Sequence, residues 1–118
     1  AELVDEPMVL LDSVPSRDYF TSLFTAQNLT PTIAYRSPSY EMVRSMVGNG
    51  LGYTILGTKP ASPVAVDGRL TVTRPLSDEC ETIQVVLVTD TSRSISDQAH
   101  QVHDYLAKQL ASAQDLLD

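Results

Sequence analysis

Residues 7–56 read PMVLLDSVPSRDYFTSLFTAQNLTPTIAYRSPSYEMVRSMVGNGLGYTIL, and their alternation of short apolar runs with helical periods decides the fold. Met8–Leu11 is a continuous apolar run closed by the polar turn Asp12-Ser13-Val14-Pro15-Ser16, the pattern of a buried strand. Ser16 then stands as N-cap of a helix that has Asp18 in its first turn and Phe20, Leu23, Phe24 and Gln27 at helical spacing, with Asn28 as its stop. Thr30–Tyr35 is rich in β-branched and aromatic residues and begins with a proline, as an edge strand does. Ser37 as N-cap and Pro38 at the first helical position start a second helix with an apolar stripe of Tyr40, Val43, Met46 and Val47. Gly48-Asn49-Gly50 stops it, and Gly52–Leu56 reads as a third strand. The order βαβαβ predicts an α/β sheet of parallel strands joined by right-handed crossovers with helices on its faces.

Outward from this core, Gly57–Gly68 has no apolar period and carries prolines and glycines, which predicts a loop. Leu70–Pro75 alternates as a strand, and Ile83–Thr89, with the run Val85–Val88, is a stronger one. A long helix closes the chain, capped at Ser94 or Ser92, with Asp97 in its first turn and Ala99, Val102, Leu106, Leu110 and Ala113 on one face. There is no internal repeat or low-complexity tract.

The length of 118 residues is that of one ordinary domain, and 42% hydrophobic with 19% charged residues is a globular composition. No apolar stretch approaches the roughly 20 residues a membrane span requires. The acidic start Ala1-Glu2-Leu3-Val4-Asp5-Glu6 lacks the basic and apolar regions of a secretory signal, and reads as a cut inside a longer protein. A formal charge of −7 with scattered lysines and arginines argues against DNA binding by this segment alone. The single cysteine, Cys80, excludes an internal disulfide and suits a reducing cytoplasm. Its acidic neighbours Asp78, Glu79 and Glu81 disfavour a reactive thiolate.

Enzymatic patterns are absent: no G-x-S-x-G elbow surrounds any serine, and both histidines are remote in sequence from every candidate nucleophile. His100 and His103 share a helical spacing that a metal site can use, but Asp97 and Asp104 are the only nearby acids, and two polar-face histidines on an amphipathic helix are much the better reading. Gly48–Gly52 follows a helix and precedes a strand, the reverse of a phosphate-binding glycine loop. What stands out is a pair of helix starts, Ser16–Tyr19 and Ser37–Tyr40, each combining hydroxyls, free N–H groups and an aromatic ring. Opening on one sheet edge, two such ends suit a carboxylate-bearing metabolite; taken singly, each serine is an ordinary cap.

The segments Asn28-Leu29-Thr30-Pro31, Arg36-Ser37-Pro38-Ser39 and Val47-Gly48-Asn49-Gly50-Leu51-Gly52, in this order along residues 7–56, resemble the second regulatory subdomain of LysR-type transcriptional regulators. Arg69–Asp78, Ile83–Thr89 and Ser94–Leu110 are similar to that family's closing strands and final helix. The resemblance implies an α/β lobe like those of type II periplasmic binding proteins, with a βαβαβ core followed by two strands and a long C-terminal helix. Residues from about 7 to 90 would form the second subdomain, and those from about 91 to 118 the helix that packs on a first subdomain which the chain lacks. It implies no catalysis and no cofactor or metal, but a small-molecule effector held by Ser13, Ser16, Tyr19, Ser37, Ser39, Tyr40 and Tyr53.

The same resemblance implies a cytoplasmic homodimer or higher homo-oligomer paired through the helix Arg17–Gln27 and the strand Pro31–Tyr35. DNA would be reached only through an N-terminal helix-turn-helix that this truncated domain does not include. The competing expectation is a lobe of an extracytoplasmic solute-binding protein, which shares the fold and binds similar anions; a small α/β enzyme ranks last, for want of a nucleophile and base.

Overall fold

The computed structural model describes residues 2–77, 79–81 and 86–112. The chain forms two compact units, Ala1–Cys80 and Glu81–Asp118. The first unit is built on β1 (Met8–Leu11), α1 (Ser16–Thr25), β2 (Ile33–Ser37) and α2 (Tyr40–Gly48). β1 and β2 pair in parallel, with Met8 beside Ile33 and Leu11 beside Ser37 and an irregularity between Met8 and Val9. All four residues of β1 are buried. Since successive strand side chains point to opposite faces, both faces of β1 are covered, and α1 and α2 both pack against it.

The core consists of the four β1 residues with Phe20 and Phe24 of α1, Val43 of α2, and Ile55; Tyr19, Leu23, Ile33, Tyr40, Met46 and Val47 pack around them. The apolar residues of the two helical periods read at 16–28 and 37–48 therefore face this core, while Gln27 is exposed. α1 ends at Thr25, and the turn that follows it closes at Asn28, whose φ of +56° lies in the left-handed region. β2 begins two residues beyond Pro31, because proline has no N–H to donate; the ladder opens with the Met8 N–H donating to the Thr32 carbonyl at 2.8 Å.

Several boundaries differ from the sequence expectation. Ser16 is the first helical residue of α1 rather than its cap, and Pro15, the flanking residue, offers no side-chain acceptor. The preceding turn already winds helically, with the Ser13 carbonyl accepting from the Arg17 N–H at 2.9 Å and the Pro15 carbonyl from the Tyr19 N–H at 3.2 Å. Ser37 is drawn into β2, where its carbonyl accepts from the Asp12 N–H at 2.8 Å, so the cap of α2 passes to Ser39. Ser39 is extended, with φ −94° and ψ 120°, and its Oγ accepts from the Met42 N–H.

The expected third strand is reduced to one parallel bridge between Met8 and Tyr53 on the free side of β1. The Tyr53 N–H donates to Pro7 and the Tyr53 carbonyl accepts from Val9, at 3.0 and 2.8 Å. Gly52 makes this approach possible: a Cβ there would lie 2.0 Å from the Pro7 carbonyl oxygen, and its φ is +145°. Leu70–Pro75 likewise contributes a single antiparallel bridge, Leu70 with Val64, around a turn at Gly68. Its partner segment holds Pro60 and Pro63, which lack the donors that would extend a ladder.

Of the strand expected at Ile83–Thr89, Ile83, Gln84 and Val85 lie outside the described residues, and Val86–Thr89 is irregular and exposed. In the second unit α3 (Asp97–Ser112) follows a turn at Asp90–Ser92 in which both the N–H and the hydroxyl of Ser92 donate to Asp90. These two bonds hold the Asp90 carboxyl below the usual carboxylate range. Ser96, not Ser94 or Ser92, caps α3, its Oγ accepting from the Ala99 N–H at 3.2 Å. No residue of α3 is buried, and Val102, Tyr105, Leu106 and Leu110 are exposed; Ala113 lies outside the described residues.

Candidate functional site

Two parallel strands side by side send their chains in the same direction, so the turns that leave β1 and β2 emerge on one edge of the sheet. There β1 delivers Asp12 and Ser13, β2 delivers Ser37 and Ser39, and the N-termini of α1 and α2 follow at once. The bond from the Asp12 N–H to the Ser37 carbonyl ties the two turns together. Ligands of open α/β sheets bind at this carboxyl edge, where helix N–H groups without intrahelical acceptors carry partial positive charge.

Of the residues singled out in the sequence, Ser13, Ser16, Ser37, Ser39 and Tyr40 stand at this edge or in the first helical turn that leaves it. Ser37 is buried, and its Oγ accepts from the Ser39 N–H at 3.2 Å, which leaves the hydroxyl proton available to donate. Tyr19 sits one turn into α1, half-buried, with its ring edge-on to Phe20 at 5.4 Å. Tyr53 is placed apart from the others, beside Met8 at the opposite end of β1. Its hydroxyl is buried without a hydrogen-bond partner, and burial, aided by the charge of Glu6, pushes its pKa up.

Two groups of charged residues escaped the sequence reading. At the carboxyl edge, Asp12 accepts from Arg17 Nη1 at 3.1 Å on one oxygen and forms a longer ion pair with Arg36 Nη1, 3.8 Å from its other oxygen. Arg17 also meets Asp18 at 3.4 Å, and these neighbours, Asp18 foremost and then Asp12, raise its pKa further. Nothing in the spacing of Asp12, Arg17 and Arg36 announces their meeting, because it depends on the pairing of β1 with β2.

The second group lies along α2. Arg44 is only 7% exposed. Its Nη1 donates to Glu41 Oε1 at 2.7 Å, and its Nη2 donates to the carbonyls of Ser62 and Val64. Its guanidinium also lies 6.0 Å from the centre of the Tyr40 ring. Glu41 Oε2 accepts from the Val66 N–H at 3.2 Å. One turn on, Asn49 donates to Asp67 at 2.8 Å. Partial desolvation opposes ionisation of Asp67, but hydrogen bonds from the Arg69 N–H and from Asn49 prevail and hold its carboxyl below the usual range. The loop expected at 57–68 is thus strapped to the helix whose N-terminus forms half of the carboxyl edge. An arginine at 44, about one turn into the helix and on the side opposite Met42, is the only signal, and it reads equally as a solvated face.

Among the described residues no group of three or more His, Cys, Asp or Glu side chains could hold a metal ion, and His103 instead meets its neighbour Asp104 at 3.3 Å. No helix among them is long and apolar enough to cross a membrane.

A parallel α/β lobe with helix N-termini opening on its carboxyl edge belongs to the class of ligand-binding lobes seen in type II periplasmic binding proteins. The family model of the LysR substrate binding domain matches residues 1–111, and the chain belongs to that family, whose fold this is. Solved structures agree. HinK, a LysR family transcriptional regulator from Pseudomonas aeruginosa, is 42% identical with a TM-score of 0.83 over 92% of this chain and 38% of its own. The PA01 protein of the same organism, assigned to the LysR family of transcriptional regulators, is 51% identical, with a TM-score of 0.66 over 69% of this chain and 30% of its own. The C-terminal domain of a regulator from Rhodococcus sp. RHA1, assigned to the same family, is 35% identical, with a TM-score of 0.62 over 65% of this chain and 38% of its own. The chain therefore spans between 30% and 38% of the length of these relatives. Among curated proteins no sequence matches it.

Proposed function

We propose that this chain is the effector-binding part of a bacterial LysR-type transcriptional regulator, a non-enzymatic cytoplasmic module that takes a small carboxylate-bearing effector at the carboxyl edge of β1 and β2. The observation that carries this reading is the opening of two helix N-termini, α1 and α2, on that one edge, with the Asp12–Ser37 bond holding their turns together. Ser13, Ser16, Ser37 and Ser39 would supply hydroxyl donors, the first turns of both helices would supply N–H groups, and Tyr19 and Tyr40 would flank the ligand. Tyr53, at the far end of β1, is left outside this site. The helix α3 would serve a second lobe, and the subdomain proper would end near residue 90. Oligomers form through α1 and the exposed outer side of β2, and DNA is bound by a separate helix-turn-helix domain whose arrangement the effector shifts.

Titration of the chain with acetate, succinate and benzoate, followed by the backbone amide resonances, tests the site. Shifts at Ser13, Ser16, Ser39 and Tyr40 are expected. Shifts confined to other residues, or none at tens of millimolar ligand, would remove the carboxyl edge as the site.

A further inference from the structure

Asp12 is held as a bound ligand carboxylate would be: one oxygen to Arg17, the other to Arg36, with its side chain 24% exposed. It lies at the carboxyl edge, between the two helix N-termini, where a negative charge is most favoured. The two contacts are unequal. Arg17 approaches to 3.1 Å, and it is further engaged by Asp18. Arg36 stands at 3.8 Å and is half exposed. An ion pair that long and that exposed is weak, so little opposes its opening. The chain as a whole, at a formal −7, repels anions at a distance, which makes a local guanidinium the decisive attraction for one that arrives.

We infer that Asp12 is an internal competitor for the effector's carboxylate: it fills the anion position between Arg17 and Arg36, and an entering carboxylate takes over Arg36, which thereby distinguishes anionic from neutral ligands. This rests on the proposed effector site and adds to it the element that sets its selectivity and its threshold. Relieving the competition strengthens binding; removing the arginine weakens the preference for charge.

The test titrates the wild-type chain, Asp12→Asn and Arg36→Gln with benzoate and with the uncharged isostere benzamide, following the Ser39 and Tyr40 amides and the Arg36 Nε resonance. Dispersed amide spectra of each variant establish that it is folded. The expected result is benzoate affinity raised about threefold or more in Asp12→Asn, lowered by a similar factor in Arg36→Gln, and benzamide binding unchanged by either. If benzoate shifts Ser39 and Tyr40 in the wild type but with equal affinity in both variants, the competitor role is wrong while the site stands. If benzoate shifts those amides in none of the three proteins, the site falls and the role of Asp12 falls with it.

Discussion

Gly52 passes so close to Pro7 that no side chain fits between them: a Cβ on Gly52 would stand 2.0 Å from the Pro7 carbonyl oxygen and 2.9 Å from its carbonyl carbon. The contact is with backbone, which cannot swing aside as a side chain would, and φ is +145°. Gly52→Ala should therefore destabilise the fold by about 3 kcal/mol or more in urea unfolding. Gly50→Ala is the control, since Gly50 has a φ of +78° but nothing within 4 Å, and should lose only about 1 kcal/mol. Equal losses would show that the Pro7 contact yields.

Ser39 and Ser16 separate a real cap from an apparent one. Ser39→Ala removes the acceptor of the Met42 N–H and should cost about 1 kcal/mol. Ser16→Ala, at a residue inside α1 with no capping bond, should stay within about 0.5 kcal/mol of wild type. Thermal melting of the two variants side by side checks the assignment, and a larger loss for Ser16 would contradict it.

The strapping of residues 62–66 to α2 depends on Arg44. In Arg44→Met the carbonyls of Ser62 and Val64 lose their donor and Glu41 loses its partner. A loss of about 2 kcal/mol is expected, less than for a fully buried ion pair because Glu41 is 42% exposed. Amide exchange should show where it falls: the Val66 N–H, bonded to Glu41, loses protection, while the Met8 and Val9 amides of β1, bonded to Thr32 and Tyr53, keep theirs at conditions below global unfolding.

Tyr53 couples the fold to alkaline pH. Its folded pKa is raised above 10.0, by burial first and by Glu6 second, so the folded state favours the neutral phenol. The stability this gives is present below the unfolded value of about 10 and is lost as pH rises through the higher folded value. Tyr53→Phe should remove that alkaline decline. At neutral pH it should also stabilise the fold by about 1 kcal/mol, because it deletes a buried hydroxyl that has no partner. Urea midpoints at neutral pH and above pH 10 read both effects.

How far the sequence could be read follows from where each piece of information resides. β1, α1 and α2 were legible because Met8–Leu11, the Phe20–Phe24 pair and the Tyr40–Val47 stripe carry their periods locally. The capping serines were misassigned at both helices because Ser16 and Ser37 satisfy the local pattern, while the deciding bonds, Ser13 to Arg17 and Asp12 to Ser37, belong to a turn and to a sheet pairing. Residues 52–56 and 70–75 have strand composition, yet they form single bridges because the contact at Gly52 and the prolines at 60 and 63 limit the ladders. The serine-rich helix starts were visible as candidates. Their convergence with Arg17 and Arg36 was not, since it follows only once the parallel register places Leu11 beside Ser37.

That register has a further consequence for how the chain finds its fold. A strand such as β1, apolar at every position, has no alternation to penalise a slip by one residue. The penalty comes from its borders. A shift in one direction would carry the Asp12 carboxylate into the core, away from Arg17 and Arg36, and a shift in the other would draw Pro7, which has no N–H, into the ladder. The charged cluster at the sheet's edge therefore acts as an end-stop against misregistered pairing, and substitutions there should be judged by folding fidelity as well as by ligand recognition.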